Sequence, residues 1–338
     1  MEKNNFKLTT GSILNETFLV SFPIWIPLIY YSILNIFPSS GLLLVYFTFF
    51  VFGEIHFGIT WLFVFDKKNI EFIKQHKFYS LAVPALLVLF FTICWFFISQ
   101  MLAFFLSTLF NIFHVTRQSV GITKIYKTRD LIGDIGTNIV YLNSFLCLFY
   151  GFCKFIIIKD DLFLLNIIFY AVLSILLLTI IFCILISIRK KNDLNFSFAI
   201  LTGSILYAPF LLDNINAIHA GAMGIGIHYI QYIALQTIIY SRKKNSNKRE
   251  HFNFFEKIGN NMGYFLIYLI FYSILMGGLL YLGRDLTQTN EGFFDSGAFN
   301  YLFFLPFIMH NLHFYADMFM WRFSNPHIRE NVGKYLFG

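Results

Sequence analysis

Five histidines fall inside long apolar stretches of the chain, at positions where ionisable residues are rare. They are His56, His114, His228, His310 and His313. Placing an imidazole in hydrocarbon is costly, so such a residue is by default a candidate for function. Imidazole nitrogen is also a preferred ligand of iron, zinc and copper. The residue types therefore favour a metal or cofactor site over the alternative of a structural polar cluster.

The depth of these histidines in the predicted membrane segments is nearly the same. With a rise of about 1.5 Å per helical residue, they occupy a layer roughly 6 Å deep, slightly to the cytoplasmic side of the membrane midplane. Four separate helices each place imidazole in this layer. We therefore expect the rings to converge in one pocket.

Hydrogen-bonding residues share helix faces with the histidines, because residues three and four apart are neighbours on a helix. The candidates at this spacing are Gln118 after His114, Gln231 after His228, and Asp317 after His313. Metal-bound histidine normally donates its other ring N–H to such a group, which determines the tautomer. We interpret the three residues as groups that orient cofactor ligands.

Two charged residues in the same segments are candidates for catalysis. Glu54 precedes His56 by two residues, and Arg117 follows His114 by three. Arg117 can bind a carboxylate or phosphate on a substrate, or its side chain can extend to the aqueous interface. The sequence leaves these two roles of Arg117 open.

The composition predicts that all these residues lie in an all-α membrane helix bundle. The chain is 57% hydrophobic and only 13% charged, about half the charged fraction of a soluble domain. A membrane-spanning helix needs about 20 mostly apolar residues. This rule predicts about ten spans within one domain over residues 1–338, near 12–36, 42–65, 79–99, 101–124, 136–158, 162–188, 196–213, 218–240, 262–283 and 298–321.

The basic residues indicate the orientation of these spans. Most of the 25 lysines and arginines fall in alternate connecting segments, and cytoplasmic loops carry such an excess. We therefore expect both termini in the cytoplasm, an inner (cytoplasmic) membrane location, and a short amphipathic tail at 325–338 along the inner surface. The same distribution explains the net charge of +7 without a nucleic-acid partner.

The donor types narrow the choice of metal and reaction. Histidines with at most one carboxylate suit iron, zinc or copper better than magnesium or calcium. Iron with histidine ligands and an open position is the usual arrangement for oxygen activation. Aromatic residues beside the histidines favour a lipophilic small-molecule substrate that enters from the bilayer. We expect a non-haem iron oxidoreductase that uses dioxygen, with no electron donor identified.

The segment Glu54-Ile55-His56-Phe57-Gly58, followed by single histidines on later spans, resembles the Brp/Blh family of membrane carotenoid oxygenases. In that family, iron held by histidines cleaves β-carotene centrally with dioxygen to give retinal. The resemblance implies that His56 is a ligand, with His114, His228 and one of His310 and His313 as companions. The segments around these later histidines depart from the family pattern, which leaves the choice between a carotenoid and another lipid open.

Two other functions are alternatives to an oxygenase. Histidines on two helices can ligate a b-type haem for electron transfer, and His114 and His228 lie at compatible depths. A transporter could use the histidines and Glu54 to relay protons or to bind a metal in transit. The diiron desaturases and hydroxylases carry more histidines, in HxxxH and HxxHH boxes, than this chain offers.

Overall fold

The computed structural model describes residues 13–126, 131–157, 161–189, 194–246, 253–283, 301–322 and 325–337. Every regular element among them is helical, which confirms the all-α prediction for this part of the chain. Seven of the described segments are long and apolar enough to cross a membrane: Leu19–Ile36, Pro38–Val64, Phe78–Ile98, Leu131–Phe155, Leu162–Ile188, Ala217–Lys243 and Met262–Gly283. The other three predicted spans fall outside this set, so the count of ten stays a prediction.

Fifteen α-helices lie along the described part of the chain. They are α1 (Ile13–Ile36), α2 (Gly41–Tyr46), α3 (Glu54–Val64), α4 (Lys67–Gln75), α5 (Val83–Ile93), α6 (Gln100–Ile125), α7 (Leu131–Phe152), α8 (Leu162–Arg189), α9 (Leu194–Ser204), α10 (Ala217–Ser246), α11 (Phe254–Asn260), α12 (Met262–Gly283), α13 (Tyr301–Met320), α14 (Pro326–Ile328) and α15 (Lys334–Phe337). Wider π-helical turns extend several of them, at Phe47–Gly53, Phe78–Ala82, Cys94–Ile98, Cys153–Ile157 and Arg329–Gly333.

Side-chain caps begin the short helices that flank the apolar segments. The Asp66 carboxylate accepts a hydrogen bond from the Asn69 backbone N–H (2.7 Å) at the start of α4. Asn253 and Glu256 form a reciprocal capping box at the start of α11. Each cap satisfies backbone N–H groups that have no partner within the helix, so these helices begin where the sequence offers a capping side chain.

The described chain forms two compact units, and helices α6 and α10 contribute residues to both. The first unit comprises Met1–Val45 and Val115–Gln231. In this unit α9 packs against α1, α7 and α8, and the core includes Val120, Val140, Cys183, Ile186, Phe196 and Ile200. Nothing in these contacts tests the prediction of a single domain, which stays a prediction.

The second unit comprises Tyr46–His114 and Tyr232–Gly338. Its central feature is α12, which packs against α3, α13 and the π-helical turns at Phe47–Gly53. Small residues bring these backbones close together: a Cβ added at Gly277 would lie 2.9 Å from the carbonyl oxygen of Phe50. The Ser273 hydroxyl donates a hydrogen bond to the same oxygen (2.9 Å). This packing holds α3 and α13, which both carry histidines.

The C-terminal segment of the second unit is helical, as its amphipathic pattern predicts. Its apolar residues Ile328, Val332, Tyr335 and Leu336 are all buried. The Arg242 guanidinium donates a hydrogen bond to the backbone carbonyl of Tyr335 (2.9 Å). The apolar face of this tail is therefore covered by the protein itself.

Candidate metal centre

Three histidines of the second unit face one another in its interior. They are His56 on α3, His114 on α6 and His313 on α13, and their exposed fractions are 0%, 4% and 0%. The His56 and His313 rings are 4.5 Å apart between centroids, and His313 and His114 are 5.1 Å apart. The Nε2 atoms of His56 and His313 approach to 2.8 Å. The expected convergence of imidazoles is confirmed for these residues.

His228, the fourth predicted histidine ligand, belongs to the first unit. It is buried on α10, one helical turn before Tyr232. Within the second unit, one ring nitrogen from each of His56, His114 and His313 lies within 4.8 Å of the other two. The structure thereby selects His313 over His310 as the histidine of α13 that faces the group.

The geometry of the histidine group fits one transition-metal ion. Bonds of about 2.0–2.1 Å from imidazole nitrogen to a metal place two tetrahedral ligands about 3.4 Å apart. Nitrogens that all lie within 4.8 Å of one another reach such positions by small side-chain movements.

Asp317 lies beside this group, one turn after His313 on α13. Its carboxylate oxygen Oδ1 accepts a hydrogen bond from the Tyr232 hydroxyl (2.8 Å). The other oxygen, Oδ2, lies 3.7 Å from Nε2 of His114 and 3.7 Å from Nε2 of His313. The predicted association of Asp317 with the histidines is therefore present in the structure.

Glu54 and His310 form a separate pair on the neighbouring faces of α3 and α13. Nε2 of His310 lies 2.7 Å from Oε1 of Glu54, and the glutamate side chain is fully buried while that of His310 is 18% exposed. The Phe57 ring stacks on His310 at 4.0 Å between centroids and meets the edge of His313 at 4.7 Å. One aromatic ring thus separates this acid–base pair from the histidine group.

The remaining predicted site residues have other surroundings. Arg117 is exposed. The side-chain amide of Gln231 donates a hydrogen bond to the backbone carbonyl of Leu19 on α1 (3.0 Å). The amide nitrogen and oxygen of Gln118 are buried with no hydrogen-bond partner among the described residues. The structure therefore places the Asp317 carboxylate beside His114 and His313. It places the Gln231 amide in a hydrogen bond to the backbone of α1.

The hydroxyl of Thr60 is a member of the site that the sequence reasoning missed. It lies 2.6 Å from the Tyr232 hydroxyl, and both side chains are buried. The spacing in the sequence could have identified it, because Thr60 follows His56 by four residues on α3 and so shares its helix face.

Comparisons with known proteins give no relative of this chain: no protein-family model matches it, and neither a curated protein nor a solved structure matches it. Fold and site together define a class: over the described residues the protein is helical with seven candidate membrane spans, and its second unit contains the buried histidines His56, His114 and His313. Its function is therefore argued from the geometry of that group.

Proposed function

We propose that this chain is a membrane oxidoreductase that uses non-haem iron and dioxygen to oxidise a lipophilic substrate. The ligands would be His56, His114 and His313 of the second unit, and the sequence pattern adds His228 as a fourth candidate. The observation that carries the proposal is that the buried His56, His114 and His313 place ring nitrogens within 4.8 Å of one another. Bound iron would supply a centre for oxygen activation.

The surroundings of the histidines support a lipophilic substrate. Phe57 and Phe314 are buried, and the Phe314 ring lies 5.1 Å from that of His114 between centroids. Phe110 meets Phe314 edge-to-face at 5.7 Å. Apolar walls of this kind suit a hydrocarbon chain or a carotenoid, which agrees with the resemblance of the His56 segment to the Brp/Blh family. An electron donor is a further partner if the reaction consumes more electrons than the substrate supplies.

The pair of Glu54 and His310 supports a role in proton transfer. The 2.7 Å distance between Oε1 and Nε2 allows one proton to be held by either group. His310 is partly exposed and Glu54 is fully buried, so the pair connects the surface of the second unit with its interior. In this proposal the two residues hold and move a proton near the site.

A b-type haem is less compatible with this arrangement. Haem ligation by two histidines places the imidazoles on opposite faces of the macrocycle. The 2.8 Å separation of the Nε2 atoms of His56 and His313 leaves no space for a porphyrin between these rings. The geometry therefore argues against a haem held by His56 and His313, and the Soret band tests the pair of His114 and His228.

We further propose that the chain crosses the inner membrane about ten times, with both termini in the cytoplasm. Seven candidate spans support the multi-pass arrangement. Two of the additional spans would be α6 and α13, which have 26 and 20 residues and carry His114 and His313. Both helices are long enough to cross about 30 Å of hydrocarbon at about 1.5 Å per residue.

Elemental analysis of the detergent-purified protein tests this function. The wild type is expected to hold about one iron per chain and to lack the Soret band of a haem. Alanine at His56, His114 or His228 is expected to lower the bound iron while the helical circular dichroism is retained. His76→Ala provides the control, because His76 is exposed. Full retention of iron in all three variants would refute the ligand assignment.

A further inference from the structure

The buried carboxylate of Asp317 is held in one orientation by a chain of hydroxyl groups. The Tyr232 hydroxyl donates its proton to Oδ1 of Asp317 (2.8 Å). Because that proton is committed, the Thr60 hydroxyl must donate to the Tyr232 oxygen, 2.6 Å away. The order Thr60, Tyr232, Asp317 thus uses each proton once and leaves Oδ2 outside this chain of hydrogen bonds.

Oδ2 of Asp317 is directed at two histidines without a hydrogen bond to either. It lies 3.7 Å from Nε2 of His114 and 3.7 Å from Nε2 of His313, beyond the roughly 3.2 Å limit of an N–H···O hydrogen bond. It is also buried with no other hydrogen-bond partner among the described residues. A buried anionic oxygen without a partner is costly, and either a proton or a bound cation removes that cost.

Asp317 could either bind the metal or orient a histidine that binds it. The two roles differ in which ring nitrogen of the histidine Oδ2 approaches. A residue that orients a metal-bound histidine accepts a hydrogen bond from the ring nitrogen that faces away from the metal. Nε2 of His313 faces inward, since it is the atom that lies 2.8 Å from Nε2 of His56. Oδ2 approaches this same inward nitrogen. Asp317 therefore lies on the metal side of the rings, where it cannot act as an orienting group for Nδ1.

The measured separations agree with a shared ion. Two ligands bound at about 2.1 Å in tetrahedral geometry lie about 3.4 Å apart, and the two distances from Oδ2 to imidazole nitrogen are both 3.7 Å. An ion bound at this position would also neutralise the carboxylate. Iron accepts imidazole nitrogen and carboxylate oxygen as ligands in one site.

We propose that Asp317 is a direct ligand, which binds the metal through Oδ2 together with Nε2 of His114 and His313. This inference rests on the proposed function, because it requires that the histidine group binds an ion. It adds one residue to the ligands, so the metal would be bound by a carboxylate oxygen as well as by imidazole nitrogens. Tyr232 and Thr60 are then positioning residues that direct Oδ2 at the metal.

Cobalt substitution of the full-length protein tests this assignment. The metal is removed with a chelator, Co²⁺ alone is added, and absorption is recorded for the wild type, His56→Cys, Asp317→Cys and Asn311→Cys. A thiolate bound to Co²⁺ gives a charge-transfer band in the near ultraviolet, and a thiolate outside the coordination sphere does not. His56→Cys is the positive control, and Asn311→Cys, at another buried polar residue of α13, is the negative control.

The proposal predicts the charge-transfer band in His56→Cys and Asp317→Cys and its absence in Asn311→Cys. A band in His56→Cys with none in cobalt-loaded Asp317→Cys would overturn the Asp317 assignment and leave the histidine site intact. Failure of the wild type to bind Co²⁺ or iron would instead refute the proposed function. If Asp317→Cys does not fold, Asp317→Asn replaces it: loss of the anionic donor must then change the visible spectrum of bound Co²⁺, and an unchanged spectrum overturns the assignment.

Discussion

The Nε2 atoms of His56 and His313 are 2.8 Å apart, although 257 positions separate the two residues in the chain. Between two neutral imidazoles, such a contact requires one Nε2 to carry a hydrogen and the other to accept it. When both nitrogens bind one ion, neither keeps a hydrogen, and their separation becomes about 3.4 Å in tetrahedral geometry. The contact therefore joins α3 and α13 by a hydrogen bond that metal binding would replace.

His313 and His310 are expected to differ sharply in their effect on metal content. His313→Ala should remove most of the bound iron, because His313 belongs to the histidine group. His310→Ala should retain the iron, because His310 bonds to Glu54 instead (2.7 Å). Elemental analysis of the two purified variants measures the difference. Equal loss of iron from both variants would show that His313 and His310 do not have the separate roles assigned to them.

Replacing Tyr232 with phenylalanine is expected to weaken metal binding without removing a ligand. The change deletes the hydroxyl that holds Oδ1 of Asp317, and loss of such an orienting group typically lowers metal affinity roughly ten- to a hundredfold. Competition with a chelator measures the affinity. Tyr240→Phe is the matched control on α10, because the buried Tyr240 hydroxyl has no hydrogen-bond partner among the described residues. A similar loss in both variants would contradict the specific role of Tyr232.

Adjacent glycines of α12 are expected to respond oppositely to alanine. At Gly277 the added Cβ would lie 2.9 Å from the backbone oxygen of Phe50, whereas at Gly278 no atom lies within 4 Å. Gly277→Ala should destabilise the protein by about 1–3 kcal/mol through overpacking. Gly278→Ala should be neutral or stabilising by up to about 1 kcal/mol, because alanine is the better helix former. Thermal unfolding in detergent compares the two, and equal stability would argue against the close α12 contact.

Acidification is expected to loosen the C-terminal segment through His327, which lies outside the predicted spans. Nε2 of the neutral ring donates to Oδ1 of Asn69 (2.9 Å), and Nδ1 accepts from the Asn331 amide (3.1 Å). Burial lowers the pKa of His327 from 6.5, and the positive charges of His76 and Lys68 lower it further. The carboxylates of Asp66 and Glu330 act in the opposite direction but are outweighed. Protonation also removes the acceptor at Nδ1, so both effects disfavour the charged ring in the folded segment.

The sign of the His327 effect follows from proton linkage. The unfolded segment binds the proton more tightly, so the stabilisation is present above pH ~6.5 and is lost as the pH falls through the lower folded-state pKa. Hydrogen exchange of residues 325–337, corrected for intrinsic rates, should show less protection at acid than at neutral pH. His327→Gln should abolish this dependence. Equal protection of the wild type at both pH values would refute it.

The helical character of the chain and the candidate histidines could be predicted from local sequence. Apolar runs of about 20 residues predict helices because a membrane requires every backbone polar group to bond within its own segment. The regular rise of a helix converts residue number into depth, so histidines at matching positions lie in one layer. Convergence of His56, His114 and His313 was predictable on this basis.

The partners of the polar residues were not predictable from spacing. Asp317 and Gln231 both follow a candidate histidine at helical spacing, yet the Asp317 carboxylate faces His114 and His313 while the Gln231 amide bonds to Leu19. Spacing determines which residues share a helix face. It does not determine which neighbouring helix that face meets.

The sequence alone thus predicted the helical segments and the position of each histidine along its helix, because both depend only on local composition and helix geometry. The tertiary structure decided the rotation of each helix about its axis, and with it the choice between His310 and His313. That rotation is set by packing between residues far apart in the chain, such as Gly277 against Phe50. Close packing of this kind is a property of the assembled helices and cannot be read from any one of them.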